Sequence, residues 1–190
     1  MRARAMHVKG SAIAARLRWV CEHHAEAGLA RLLAELEPEH RRLVEDKILA
    51  SAWVPYRLFV DLNVSADRLF GTGDLQLCYT MGRYSAETNL PTLYKLFYKL
   101  GSPLFIFDKA ASVWELHYDS GKLVPVPEGP DAVRLKMLAF GAPHRAHCLS
   151  VLGWAVKSAE LSGAEIHYAE EERCRTRGDA SCEIAVRWRK

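Results

Sequence analysis

The chain has 190 residues, 49% of them hydrophobic and 26% charged, with 12 glycines and 8 prolines. That composition suits one globular domain and excludes a disordered chain, a collagen-like repeat and a disulfide-dense mini-protein. The net charge of +3 comes from 26 basic and 23 acidic side chains spread along the sequence, which argues against nucleic-acid binding.

Gly10-Ser11 opens a helical pattern with Ile13, Leu17, Val20 and Cys21 on one face, and Gly28 interrupts it. A helix or turn follows through Leu29, Leu32, Leu33 and Leu36. Pro38 starts a third helix carrying Leu43, Ile48 and Leu49, and Pro55 starts another with Leu58, Phe59 and Leu62. Gly71-Thr72-Gly73-Asp74 is a loop, and a long helical stretch runs from it to about Leu100. The second half changes period. Val113 to Tyr118 alternates as a strand, Asp119-Ser120-Gly121-Lys122 turns, and Leu123-Val124 resumes extended chain. Val133, Leu135 and Met137 share one strand face. Pro143 opens a helix ended by Gly163, and strands follow at Ala164–Tyr168 and Cys182–Trp188.

This order predicts an α+β fold with a helical N-terminal half and an antiparallel sheet under a covering helix. Residues 1–70 read as a helical N-terminal extension packed on residues 71–190, the two forming one structural unit. The apolar runs fall short of the roughly 20 residues of a membrane helix, and no apolar segment follows the basic N-terminus. The expectation is a cytoplasmic protein without a membrane span. No Gly-rich phosphate loop, nucleophile elbow or His-Glu-x-x-His run is present, so a non-enzyme is expected.

The five cysteines divide into two groups. Cys21 and Cys78 stand alone in apolar surroundings and read as small core residues. Cys148, Cys174 and Cys182 follow a different logic. From Cys148 to its helix end is about 14 residues, or roughly 21 Å. From Ala164 to Glu171 is about seven residues of strand, or roughly 23 Å. A strand running back along the helix brings Glu171 and Cys174 beside Cys148, and the Gly178-Asp179 hairpin returns Cys182 to the same end. Four such ligands close a tetrahedral Zn2+ shell, which makes the site structural rather than catalytic. Glu170, His144 and His147 are alternative fourth ligands. The competing reading is a core cysteine, a solvated acid and two unrelated hairpin cysteines.

The run Glu171-x2-Cys174-x3-Gly178-Asp179-x2-Cys182 resembles the C-terminal signature of the 4-vinyl reductase domain, of the ligand-binding superfamily shared with TRAPP subunits. It is also similar to zinc-containing phenol-sensing domains. Lys9-Gly10-Ser11, Trp53-Val54-Pro55, Gly73-Asp74, Ser102-Pro103 and Trp188 resemble a myxobacterial paralogous family carrying that domain. The resemblance implies a TRAPP-like fold with Cys148, Glu171, Cys174 and Cys182 as zinc ligands. It further implies a sensor that binds a small hydrophobic molecule and signals through a protein partner, as a homodimer. The alternative is a TRAPP-like dimeric assembly module without ligand. Trp114, Tyr118, Met137, Trp154 and Tyr168 are the candidate ligand-pocket residues, an apolar chamber suited to an aromatic molecule.

Overall fold

Two three-residue strands open the architecture of the computed structural model, which describes residues 5–88 and 102–189. β1 (His7–Lys9) pairs antiparallel with β2 (Trp53–Pro55), Val8 opposite Val54. Between them run α1 (Gly10–Glu35) and α2 (Pro38–Glu45). Ile13, Arg16, Trp19 and Val20 bury one face of α1 at helical spacing. The helix runs through Gly28 and kinks instead at Ala25, whose φ is 55°. α2 ends before Ile48 and Leu49, leaving Leu49 exposed on the segment that leads to β2.

α3 (Tyr56–Phe70) buries Leu58, Phe59, Leu62, Asn63 and Ala66. Its Asp67, also buried, accepts the backbone N–H groups of Leu75 at 2.9 Å and Leu77 at 3.0 Å, and so shapes the turn into α4 (Gln76–Thr88). The part of the expected long helix beyond Thr88 lies outside the described residues. α5 spans Pro103–His117. Ser102 caps it by accepting the Phe105 N–H at 3.3 Å, and Pro103 occupies the first turn, where its missing N–H costs nothing. The segment Val113–Tyr118 is therefore the end of a helix and not a strand. Trp114 and Tyr118 sit one turn apart, with ring centroids at 4.5 Å, while Leu116 faces solvent.

β3 (Lys122–Gly129), β4 (Ala132–Leu138), β5 (Glu165–Arg173) and β6 (Cys182–Arg189) form one antiparallel sheet in the order β3-β4-β6-β5. Val133, Leu135 and Met137 of β4 and Ile184, Val186 and Trp188 of β6 turn to the core, as period-two alternation requires. α6 (Arg145–Leu161) is buried along most of its length. The Arg83 guanidinium on α4 grips Glu160 of α6 with two parallel bonds of 3.0 and 2.7 Å. The architecture is α+β with antiparallel sheets, and one apolar core joins both halves of the chain.

Candidate functional site

Two polar arrangements stand out against this core. The first lies where the start of α6 meets the β5–β6 hairpin. The Sγ atoms of Cys148, Cys174 and Cys182 and a Glu171 carboxylate oxygen all lie within 4.8 Å of one another, and all four residues are buried. Cys148 Sγ is 3.9 Å from both Cys182 Sγ and Cys174 Sγ. That is too long for a disulfide of about 2.05 Å. It matches the spacing of roughly 3.8 Å between thiolates on a tetrahedral ion with bonds near 2.3 Å.

The chain builds this corner locally. Register shifts at Glu171/Arg173 bulge β5, and Glu171 turns inward there, whereas the Tyr168 hydroxyl donates to Glu170 and Glu172, each at 3.0 Å, outside. Asp179 accepts the Cys174 N–H at 2.7 Å, and Gly178 takes φ +95° to close the turn through Arg175–Arg177. The Arg175 N–H points at Cys182 Sγ, 3.3 Å away. The Cys148 thiol and that N–H hold the Cys182 thiol below the usual thiol range. Cys148 is pushed far up, by its bond to Cys182 and by burial. Arg145 and Arg177 face the Glu171 carboxylate. His144 instead caps α6, its Nδ1 accepting the Ala146 N–H at 3.2 Å. His147 is packed among aromatic rings, and neither histidine belongs to the group of four.

The second arrangement is a cavity of about 90 Å3 between α1, α4, α5, β3 and α6. Ala12 and Arg16 line it from α1, Ser85 from α4, and Ser150, Val151 and Trp154 from α6. Ala110, Val113, Trp114 and His117 of α5, then Tyr118 and Leu123, complete the wall. Trp114, Tyr118 and Trp154 thus share this cavity. Met137 is buried in the sheet away from it, and Tyr168 lies on the outer sheet surface under the Arg187 guanidinium, 4.7 Å from its ring. The Trp114 indole N–H is spent on the Ser120 carbonyl at 3.0 Å. Burial lowers the His117 pKa, and its Nδ1 meets the Val113 carbonyl at 2.9 Å.

Arg16, Ser85 and Ser150 were not candidates on sequence grounds. Arg16 reads there as a charge lying off the apolar face of α1. In the fold it is 3% exposed and donates to the hydroxyls of Ser85 and Ser150 and, at 3.5 Å, to Asn63 Oδ1. The signal available was its spacing three residues after Ile13 and before Trp19, which puts it on the buried side of the helix.

No protein-family model matches the chain, and no curated protein matches it. Solved structures do. An H-NOX protein from S. oneidensis in the Fe(II)NO ligation state aligns with a TM-score of 0.73 at 11% identity, over 96% of this chain and 99% of that one. The Fe(II) unliganded H-NOX protein from K. algicida gives 0.69 at 13%, over 96% and 97%. A structure from a study of heme distortion in the H-NOX family gives 0.66 at 13%, over 96% and 95%. These matches overturn the expected kinship with 4-vinyl reductase and TRAPP-like domains, since the structural neighbours are H-NOX domains. They also correct the expectation of structural Zn2+, since those proteins are described by Fe(II) ligation and heme and not by zinc. At these identities the likeness establishes the fold alone: this chain has the architecture of an H-NOX domain.

Proposed function

We propose that this chain is a small-molecule-binding sensor domain on the H-NOX architecture, taking its ligand in the cavity beside Arg16 and passing the signal to a partner protein. The cavity carries the reading: a half-open, mostly apolar chamber with a few convergent polar groups is the form of a ligand site. A cytoplasmic, non-catalytic role and a homodimer fit this reading.

Heme itself does not fit the described residues. Drug-sized ligands need pockets of roughly 300 Å3 or more, and a macrocycle sits in that class, against about 90 Å3 here. The space behind Trp114 and Tyr118 is filled by stacked rings of Phe140 and His147. The small hydrophobic or aromatic ligand expected from sequence meets the same size limit, and the Trp114 N–H is already engaged.

The test uses the full chain. Tryptophan fluorescence, read against small neutral and charged molecules, is expected to show a saturable response. Ala110→Leu, which puts a larger side chain into the cavity wall, is expected to abolish it. Hemin is expected to give no stoichiometric absorption band. A tight one-to-one heme complex, or no response to any small molecule, overturns the reading.

The thiol–carboxylate cluster is a separate proposal. Cys148, Glu171, Cys174 and Cys182 form a ligand set for a metal ion that ties the start of α6 to the hairpin, supported by the 3.9 Å sulfur spacings. Elemental analysis names the ion.

A further inference from the structure

We infer that the cavity's ligand is a small monocarboxylate whose anionic end is received by Arg16. This rests on the cavity being a ligand site. Arg16 is a buried cation without a counter-charge: among the described residues no carboxylate lies within ion-pair distance of it. The segments outside the description, residues 1–4, 89–101 and 190, contain no Asp or Glu side chain. Its partners are neutral: two serine hydroxyls, the Asn63 side-chain oxygen, and the face of Phe59 at 4.6 Å. A buried charge costs several kcal/mol unless paired, and neutral dipoles offset only part of that.

The geometry leaves room for the missing partner. A guanidinium carries five N–H donors, and the hydrogen bonds described use three of them. Ser85 spends its own proton on the Met81 carbonyl at 2.9 Å, so its oxygen serves Arg16 and not a ligand. A carboxylate matches the flat fork that remains. Among the described residues Arg16 is the one Lys or Arg side chain lining the cavity, which favours a monoanion over phosphate or sulfate dianions. The rest of the wall is mainly Ala12, Ala110, Val113, Leu123 and Val151, a surface for a short hydrocarbon tail. A volume of about 90 Å3 limits the tail to a short one, and butyrate is the probe that tests it.

The experiment is calorimetric titration of the full chain with butyrate, its neutral isostere butyramide and the cation butylammonium. Butyrate is expected to bind saturably, butyramide about tenfold or more weaker, and butylammonium not at all. Arg16→Met is expected to lose butyrate by the same factor while keeping its circular dichroism, and Arg16→Lys to recover part of it. Equal binding of butyrate and butyramide, or unchanged butyrate binding by Arg16→Met, removes the carboxylate assignment and leaves the cavity as a site for neutral molecules. Silence of all three probes overturns the assignment. If the wider screen is silent too, the cavity reading falls with it. The wild-type butyrate-to-butyramide ratio decides the matter should Arg16→Met fail to fold.

Discussion

Gly82 of α4 lies against the Ser150 carbonyl of α6 so closely that a Cβ on it would stand 2.1 Å from that oxygen. The contact is reciprocal: a Cβ on Gly153 of α6 would stand 2.0 Å from the Tyr79 carbonyl of α4. Two glycines thus let the helix backbones touch. The same approach brings Ser85 and Ser150 near enough to share one guanidinium. Gly82→Ala forces the helices apart at their crossing, and overpacking of this kind costs about 1–3 kcal/mol. Thermal melting is expected to fall by several degrees, with ligand affinity falling too because Arg16 loses one hydroxyl. A variant as stable as the parent shows that the helices can slide without penalty.

His147 is fully buried, and neither ring nitrogen has a hydrogen-bond partner among the described residues. Phe140 stacks on it with centroids 4.7 Å apart, and Tyr118, Tyr56 and Trp114 meet it edge-on. Burial, then the charges of Arg16 and His144, pushes its pKa down to about 3. An unfolded histidine titrates near 6.5. Below that pH the unfolded chain takes up a proton that the folded chain refuses, so stability is lost as pH falls from about 6.5 toward 3. His147→Phe keeps the shape and removes both orphan nitrogens. It is expected to raise stability at neutral pH by about 1 kcal/mol, or about 2–4 °C in Tm for a chain of this size. The gain should widen at pH 5. Denaturant unfolding at the two pH values checks both parts, and a destabilised variant shows that His147 has a polar partner after all.

Cys174→Ser addresses the thiol–carboxylate corner. Elemental analysis of protein purified without added metal is expected to find about one metal ion per chain in the parent and none in the variant, with thermal stability lower by several degrees. A metal-free parent and an equally stable variant reduce the corner to three buried thiols and an acid.

Asp67 gives a prediction independent of any ligand. Its two carboxylate oxygens hold the N–H groups of Leu75 and Leu77. Asp67→Ala leaves both donors without their acceptor, at a cost of about 3 kcal/mol. Hydrogen exchange at those two amides is expected to accelerate far more than exchange in β4 or β6.

Local signals carried the fold a long way. The alternation in Val133–Met137 reflects a strand with one face turned to the core, that in Cys182–Trp188 places Ile184, Val186 and Trp188 on the core face, and Gly163 follows α6 with a φ of +88°. Val113–Tyr118 misled because six residues of alternating apolar character fit either period, and the deciding signal sat eleven residues upstream in Ser102-Pro103. The strands β1 and β2 were hidden by their three-residue length, too short for any period. Residue counting along a helix and a strand reaches the corner of Cys148, Cys174 and Cys182. The choice among Glu170, Glu171 and Glu172 depends on a bulge that no local pattern announces. Arg16 was least legible, since its partners lie 69 and 134 residues away.

The N-terminal clip has a bearing on synthesis. Val8 bridges to Tyr118, and the His7 N–H and ring Nδ1 both bond Asp119 at 2.8 Å, while the same three-residue strand pairs with residues 53–55. On a ribosome that delivers about 5–20 residues per second, the first strand waits for chain made long after it. Until Asp119 emerges, β1 has only β2 to hold it. β1 is thus locked only after Tyr118 and Asp119 have been made.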